Sequence, residues 1–212
     1  MALNATQSVP PSNGAASKSR PSVAVIGLES VGKSSLMSAL TGRFAESSAL
    51  AVTTLRCEVY RDDSLDWVDT PGLLTDSDAP TVRDALSALE FAESVVLVLR
   101  AHRAKEELDT LRPWLGSRKV AIALTFRDRL ETATAEEEQA QLQAWKDGLQ
   151  APIVLLDGRS PAPSHLIELR AAAAMARPLP KAIPDQLPRF RERNRRSVGS
   201  PWSVSSALLP SV

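Results

Sequence analysis

The stretch Gly27-Leu28-Glu29-Ser30-Val31-Gly32-Lys33-Ser34 constrains this chain more than any other feature. It fits the pattern G-x-x-x-x-G-K-[ST], follows the apolar run Ser22–Ile26, and leads straight into residues with helical apolar spacing. A glycine-rich turn between a strand and a helix N-terminus gathers backbone N–H groups and positive helix-end potential at one point, which makes a phosphate cradle. In such a cradle Lys33 bridges the β- and γ-phosphates of a nucleotide and the Ser34 hydroxyl ligates Mg²⁺. Glu29, Ser30, Val31 and Ser35 supply further contacts along the loop and the first helical turn. A glycine turn carrying a surface lysine is the alternative.

Around that loop, residues 21–176 alternate short apolar runs with helical patterns, the signature of a mainly parallel sheet covered by helices. Strands are expected at Ser22–Ile26, Leu55–Tyr60, Leu65–Val68, Val95–Leu99, Val120–Thr125 and Ile153–Leu156. Helices are expected at Lys33–Leu40, Val82–Ala92, Lys105–Leu111, Ala135–Leu149 and His165–Ala176. Only Arg61-Asp62-Asp63-Ser64 separates the second strand from the third. That is too short for a crossover helix, so the two are expected to pair as an antiparallel hairpin.

A length of 212 residues accommodates one such domain plus tails, and no second domain of similar size. Residues 1–20, rich in Ser, Ala, Asn and Pro, are expected to form a disordered lead. Prolines 178, 180, 184 and 188 precede a basic run from Arg189 to Arg196, so residues 177–212 read as a linker or docking tail. Lys plus Arg equals Asp plus Glu at 25 each, which gives no global field toward nucleic acid or an anionic membrane. The single Cys57 excludes an internal disulfide. No apolar run approaches the roughly 18 to 20 residues of a spanning helix. A soluble, cytoplasmic chain is expected, either free-standing or cut from a larger membrane protein.

On these motifs residues 21–176 resemble the translation-factor-like class of small GTPases, which includes the Era-like proteins and the G domain of ferrous-iron transport protein B (FeoB). The resemblance implies a three-layer α/β domain with a six-stranded, mostly parallel sheet of order 2-3-1-4-5-6, binding GTP or GDP with Mg²⁺ at the strands' carboxyl ends. Asp69-Thr70-Pro71-Gly72 looks like the class's D-x-x-G element. Asp69 then holds Mg²⁺ through water, and the Gly72 amide touches the γ-phosphate. Val52-Thr53-Thr54 is similar to the segment whose threonine completes the Mg²⁺ shell, with Thr54 preferred over Thr53. Thr125-Phe126-Arg127-Asp128 stands where the class has N/T-K-x-D. Asp128 would accept hydrogen bonds from the guanine ring N–H and exocyclic amine, and Phe126 replaces the base-covering lysine with a flat apolar side chain. A helix-capping role is the alternative for Asp128. Leu156-Asp157-Gly158 falls where the class has S-A-[KL] and departs from it, with Asp157 assigned to the base-side loop.

The catalytic parts differ from those of efficient relatives. Leu73 follows Gly72 where Ras-like proteins carry the glutamine that orients water, so slow intrinsic hydrolysis is expected. Glu29 and Ser30 occupy the Pro and Asn places of potassium-activated members, while serine at the second place occurs in dynamin-like proteins. Arg100 and Arg103 read as a solvated loop, which leaves any arginine finger to a partner. Cys57 reads as a core residue, and His102 and His165 lack metal-ligand spacing, so the nucleotide-bound Mg²⁺ is the one metal expected. Three readings follow. One is a regulatory switch acting through loops 43–54 and 72–80 on an unidentified effector or activating protein. The others are the cytosolic G domain of a FeoB-like transporter, with the tail leading toward membrane helices, and a dynamin-like membrane-associated GTPase.

Overall fold

The computed structural model describes residues 20–42, 57–61, 64–73, 80–131 and 134–193. Its strands are β1 (Ser22–Ile26), β2 (Glu58–Arg61), β3 (Asp66–Asp69), β4 (Ser94–Arg100), β5 (Lys119–Thr125), β6 (Ile153–Leu155) and β7 (Arg177–Pro178). Its helices are α1 (Lys33–Thr41), α2 (Pro80–Phe91), α3 (Ala104–Leu115), α4 (Ala135–Leu149) and α5 (Pro163–Ala174). The sheet runs β2-β3-β1-β4-β5-β6, as expected. β2 pairs antiparallel with β3, and the β3–β1, β1–β4, β4–β5 and β5–β6 pairs are parallel.

The inner strands β1, β4 and β5 are apolar at nearly every position instead of alternating, because helices cover both faces of the sheet. Alternate side chains feed two cores. Ile26, Leu97, Leu99, Ile122 and Leu124 meet Leu89 of α2, Leu108 and Leu111 of α3, and Trp145 and Leu149 of α4. On the other face Val23, Val25, Val96, Val98 and Ala123 meet Leu36, Met37 and Leu40 of α1 and Leu169 of α5. β1 therefore lies between β3 and β4 and delivers Gly27 to the carboxyl end of the sheet.

Several boundaries differ from expectation for identifiable reasons. α2 and α5 each begin at a proline, Pro80 and Pro163, whose fixed φ and missing N–H suit a first helical position. α3 runs past its expected end at Leu111 and contains Pro113, because burial of Leu115 draws the last turn onto the core despite the lost hydrogen bond. Cys57 is half-buried at the start of the edge strand β2, not a core residue. Residues 55 and 56 of that expected strand lie outside the described residues.

The chief departure is at the C-terminal side. The sheet gains a seventh strand, β7, antiparallel to the start of β5 through the Lys119–Pro178 and Val120–Arg177 pairs. Residues 179–193, expected to be a linker or docking tail outside the core, continue as a strap across α3 and α4. Leu187 and Phe190 bury their side chains in the core, and the Trp145 indole donates to the Pro188 carbonyl at 2.8 Å. Arg112 donates to the carbonyls of Pro180 and Lys181. The prolines misled because an extended segment has no helical or alternating period, yet it can still bury an isolated Leu or Phe. Phe190→Ala should accordingly cost about 3 to 5 kcal/mol of stability, as for other buried aromatics cut to alanine. Urea unfolding would show it as a lower midpoint at unchanged slope, whereas an unmoved midpoint would detach the strap from the cooperative fold.

Candidate functional site

β1 ends at Ile26, and the chain turns through Gly27–Gly32 before α1 begins at Lys33. Gly32 takes φ of 96°, a left-handed conformation that side chains resist. Ser30 also sits at positive φ, 60°, so the loop holds a non-glycine residue in a sparsely populated region. The residue before α1, Gly32, has no side chain with which to cap the first turn. The Gly27–Ser34 loop thus turns through two residues at positive φ between β1 and the N-terminus of α1.

Two charged groups are buried beside it, Lys33 at 7 % exposure and Asp69 at 4 %. The Lys33 ammonium donates to the carbonyls of Gly27 at 3.0 Å and Leu28 at 2.8 Å. Burial lowers its pKa to about 8, against the opposing pull of Asp69, Glu29 and Glu107. Burial likewise raises Asp69 to about 6, partly offset by the Lys33 charge, while Glu58 adds to the rise. Desolvation outweighs mutual attraction in both groups, so each lacks a sufficient counter-charge. One oxygen of Asp69, Oδ1, is buried without any hydrogen-bond donor among the described residues. A polyanion carrying a hydrated divalent cation would supply both deficits, with the anion at Lys33 and the cation's water at Asp69.

The segment after Asp69 is stitched onto the loop. Thr70 donates its hydroxyl to the Val25 carbonyl at 2.7 Å, and Leu73 donates its N–H to Gly27 at 3.1 Å. A Cβ on Gly72 would stand 2.7 Å from Cγ and 3.0 Å from Cα of Glu29, so only glycine lets the two segments approach this closely. Leu73 itself is in the core. Thr53 and Thr54 lie outside the described residues.

A second loop comes from β5. The Thr125 hydroxyl donates to the Val31 carbonyl at 2.8 Å and the Leu99 carbonyl at 3.1 Å, which ties this loop to the first. Phe126 follows at φ of 63°, with the Arg129 guanidinium 4.2 Å from its ring centroid. Its ring is 8 % exposed, so the flat surface is a joint Phe126–Arg129 stack, not an open phenyl face. Asp128 is exposed on a one-turn 3₁₀ helix, Arg127–Arg129, and its Oδ1 accepts from the Gly158 N–H at 3.4 Å. The capping alternative for Asp128 fails, because Thr134 caps α4 and forms a reciprocal capping box with Glu137. Asp157 is half-buried beside Gly158.

Three contributors escaped sequence reasoning. Gly158 anchors Asp128, Arg129 stacks on Phe126, and Glu138 pairs with Arg127 at 2.7 Å. The Arg127–Glu138 pair bridges two elements, which no local spacing reveals. Arg100 is not in a solvated loop as expected: its guanidinium bonds the buried carboxylate of Glu107, while Arg103 makes a surface pair with Glu106. Among the described residues no His/Cys/Asp/Glu cluster could hold a metal by itself, and no helix is long and apolar enough to cross a membrane.

Residues 22–128, half of the chain, match the family described as 50S ribosome-binding GTPase, and the match spans both loops. The chain belongs to this family. Among curated members of the wider class, GTPase Der of Gloeothece citriformis is 32% identical over 145 residues, covering 62% of this chain and 31% of Der. Developmentally-regulated G-protein 2 of Arabidopsis thaliana is 32% identical over 89 residues, covering 39% of this chain and 22% of that protein. This GTPase-family chain thus spans a third or less of these curated relatives. Its fold is shared with NFeoB of S. thermophilus bound to GDP.AlF4- and K+, at TM-score 0.60 and 21% identity over 74% of this chain and 62% of that one. The cytosolic domain of the T. maritima FeoB iron transporter in its GMPPNP form gives TM-score 0.54 at 23% identity, over 74% of this chain and 63% of that one.

Proposed function

We propose that this chain is a guanine-nucleotide switch that binds GTP or GDP with Mg²⁺ at the Gly27–Ser34 loop and hydrolyses GTP slowly. The observation that carries the reading is the buried Lys33–Asp69 pair, two charges that the protein leaves short of partners beside the turn from β1 into the N-terminus of α1. The backbone of Gly27, Glu29, Ser30, Val31 and Gly32 and the first turn at Lys33, Ser34 and Ser35 would hold the phosphates. Ser34, Asp69 through water, and Thr54 would hold Mg²⁺, which when bound neutralises charge on the β- and γ-phosphate oxygens. Gly72, packed on Glu29, would offer its amide to the γ-phosphate and so report the nucleotide state to the segment that follows. Asp128, with Thr125, Phe126 and Asp157 around it, would read the base.

Slow turnover follows from Leu73, whose burial in the core keeps it from orienting water, and from Arg100, which is occupied by Glu107. Phosphate release under single-turnover conditions should proceed on the order of 10⁻⁴ to 10⁻³ per second, the range of GTPases that await an arginine finger. Asp69→Asn, which removes the charge and keeps the shape, should abolish the gain in GTP affinity on adding Mg²⁺. Several turnovers per second, or an undiminished Mg²⁺ effect in Asp69→Asn, would contradict the assignment. A FeoB-like transporter's cytosolic domain is the second reading, favoured by Phe126 in the base-side motif, a place where the FeoB family that this motif resembles also carries an apolar residue. Either setting places this domain in the cytoplasm, with an effector or activating protein as its partner.

A further inference from the structure

The strap and the base-side loop are joined by a small antiparallel bridge at Leu130 and Glu192. Glu131 donates its N–H to the Arg191 carbonyl at 2.8 Å, and Arg193 donates its N–H to the Arg129 carbonyl at 2.8 Å. The strap is in turn fixed by burial of Phe190 at 4 % exposure, by the Trp145–Pro188 hydrogen bond, and by Glu192, whose carboxylate lies 3.6 Å from His102 Nε2. On the loop side, Arg129 donates its N–H to the Phe126 carbonyl at 2.9 Å and stacks on the ring, while Arg127 is held by Glu138 and by its N–H to Leu156 at 3.2 Å. Asp128 thus stands between two residues that are each fixed from outside. A single 3₁₀ turn has few internal hydrogen bonds, so outside contacts decide where its exposed carboxylate points.

We infer that residues 190–193 are a positioning element for base selection: they hold the Arg127–Arg129 turn so that the Asp128 carboxylate meets the base edge. The C-terminal strap then sets guanine selectivity without touching the nucleotide. This inference rests on the base-reading role proposed for Asp128. It separates two halves of the site, since the phosphate loop is built on β1 and α1, whereas residues 190–193 pair with the Arg129–Glu131 segment.

The test compares Arg193→Pro, which deletes the N–H donated to Arg129, with Arg193→Ala, which keeps it. Both lose the arginine side chain, so their difference reads the backbone at this position: the lost N–H together with proline's restriction of φ. Affinities for GDP, inosine diphosphate and pyrophosphate would be measured by calorimetry with Mg²⁺, alongside thermal unfolding. Inosine diphosphate lacks the exocyclic amine, so wild type should prefer GDP roughly ten- to a hundredfold. Arg193→Pro should lower that preference at least about threefold relative to Arg193→Ala, with pyrophosphate affinity unchanged in both. A general structural weakening would reduce GDP and inosine diphosphate binding together and leave their ratio intact, which would overturn the proposal. Should Arg193→Pro unfold, Phe190→Leu, which loosens the anchor but keeps an apolar plug, carries the same expectation. Equal wild-type binding of GDP and inosine diphosphate would sink the role of Asp128 itself, and the strap's role with it. A selective wild type whose preference survives in Arg193→Pro would sink the strap's role alone.

Discussion

Lys33→Ala is expected to remain folded and to lose nucleotide affinity by about ten- to a hundredfold. The side chain is buried, but its ammonium is held by the Gly27 and Leu28 carbonyls, which an entering water can satisfy once the lysine is gone. What water cannot replace is the positive charge that the phosphates of the proposed nucleotide would meet. A charge-assisted contact of this kind contributes roughly 1.5 to 3 kcal/mol, which is the stated change in Kd. Titration with fluorescent GDP, beside circular dichroism to establish the fold, measures it. Unchanged binding by a folded Lys33→Ala protein would rule out the Gly27–Ser34 loop as the phosphate site.

Asp128→Asn should reverse the base preference and not merely weaken binding. In the proposed role the carboxylate would accept from the guanine ring N–H and amine, whereas an amide in its place presents one donor and one acceptor. GDP affinity should fall about ten- to a hundredfold, the cost of losing a hydrogen bond to a charged group. Xanthosine diphosphate, whose added carbonyl accepts from the new amide, should bind the variant better than it binds wild type. Because Asp128 is exposed and its one bond from Gly158 is long, the substitution should leave thermal stability nearly unchanged. A variant that binds both nucleotides as wild type does would remove Asp128 from the base site.

Strand order and the Gly27–Ser34 turn between β1 and α1 were legible because they rest on local patterns. Two-sided burial writes a strand as an unbroken apolar run, as in Val95–Leu99, and the glycine spacing of 27–34 marks a tight strand-to-helix turn. α4 spans Ala135–Leu149 as expected, and the structure adds the cause: Thr134 and Glu137 cap its start, and Leu142, Trp145 and Leu149 form its buried stripe. Where chain segments distant in sequence meet, the pattern was silent. Phe190 gives no sign that it plugs the core beside Trp145, and Arg129 gives none that it stacks on Phe126. The buried Glu107 that captures Arg100 looks, in sequence, like one more charge at a helix start. Half of the candidate site was therefore visible as a motif, while the base-side half depends on contacts that only the fold assembles.

Base choice tests the central claim most directly, and calorimetry of the wild-type chain with GDP and with ADP in Mg²⁺ measures it. Adenine presents an acceptor where guanine presents its ring N–H, and its amine sits on the opposite side of that nitrogen, where guanine has its carbonyl, so the Asp128 carboxylate would face a lone pair. The account predicts that GDP binds at least about a hundredfold more tightly than ADP. Equal affinity for the two would contradict guanine reading at Asp128 and leave the chain with a phosphate loop of other specificity.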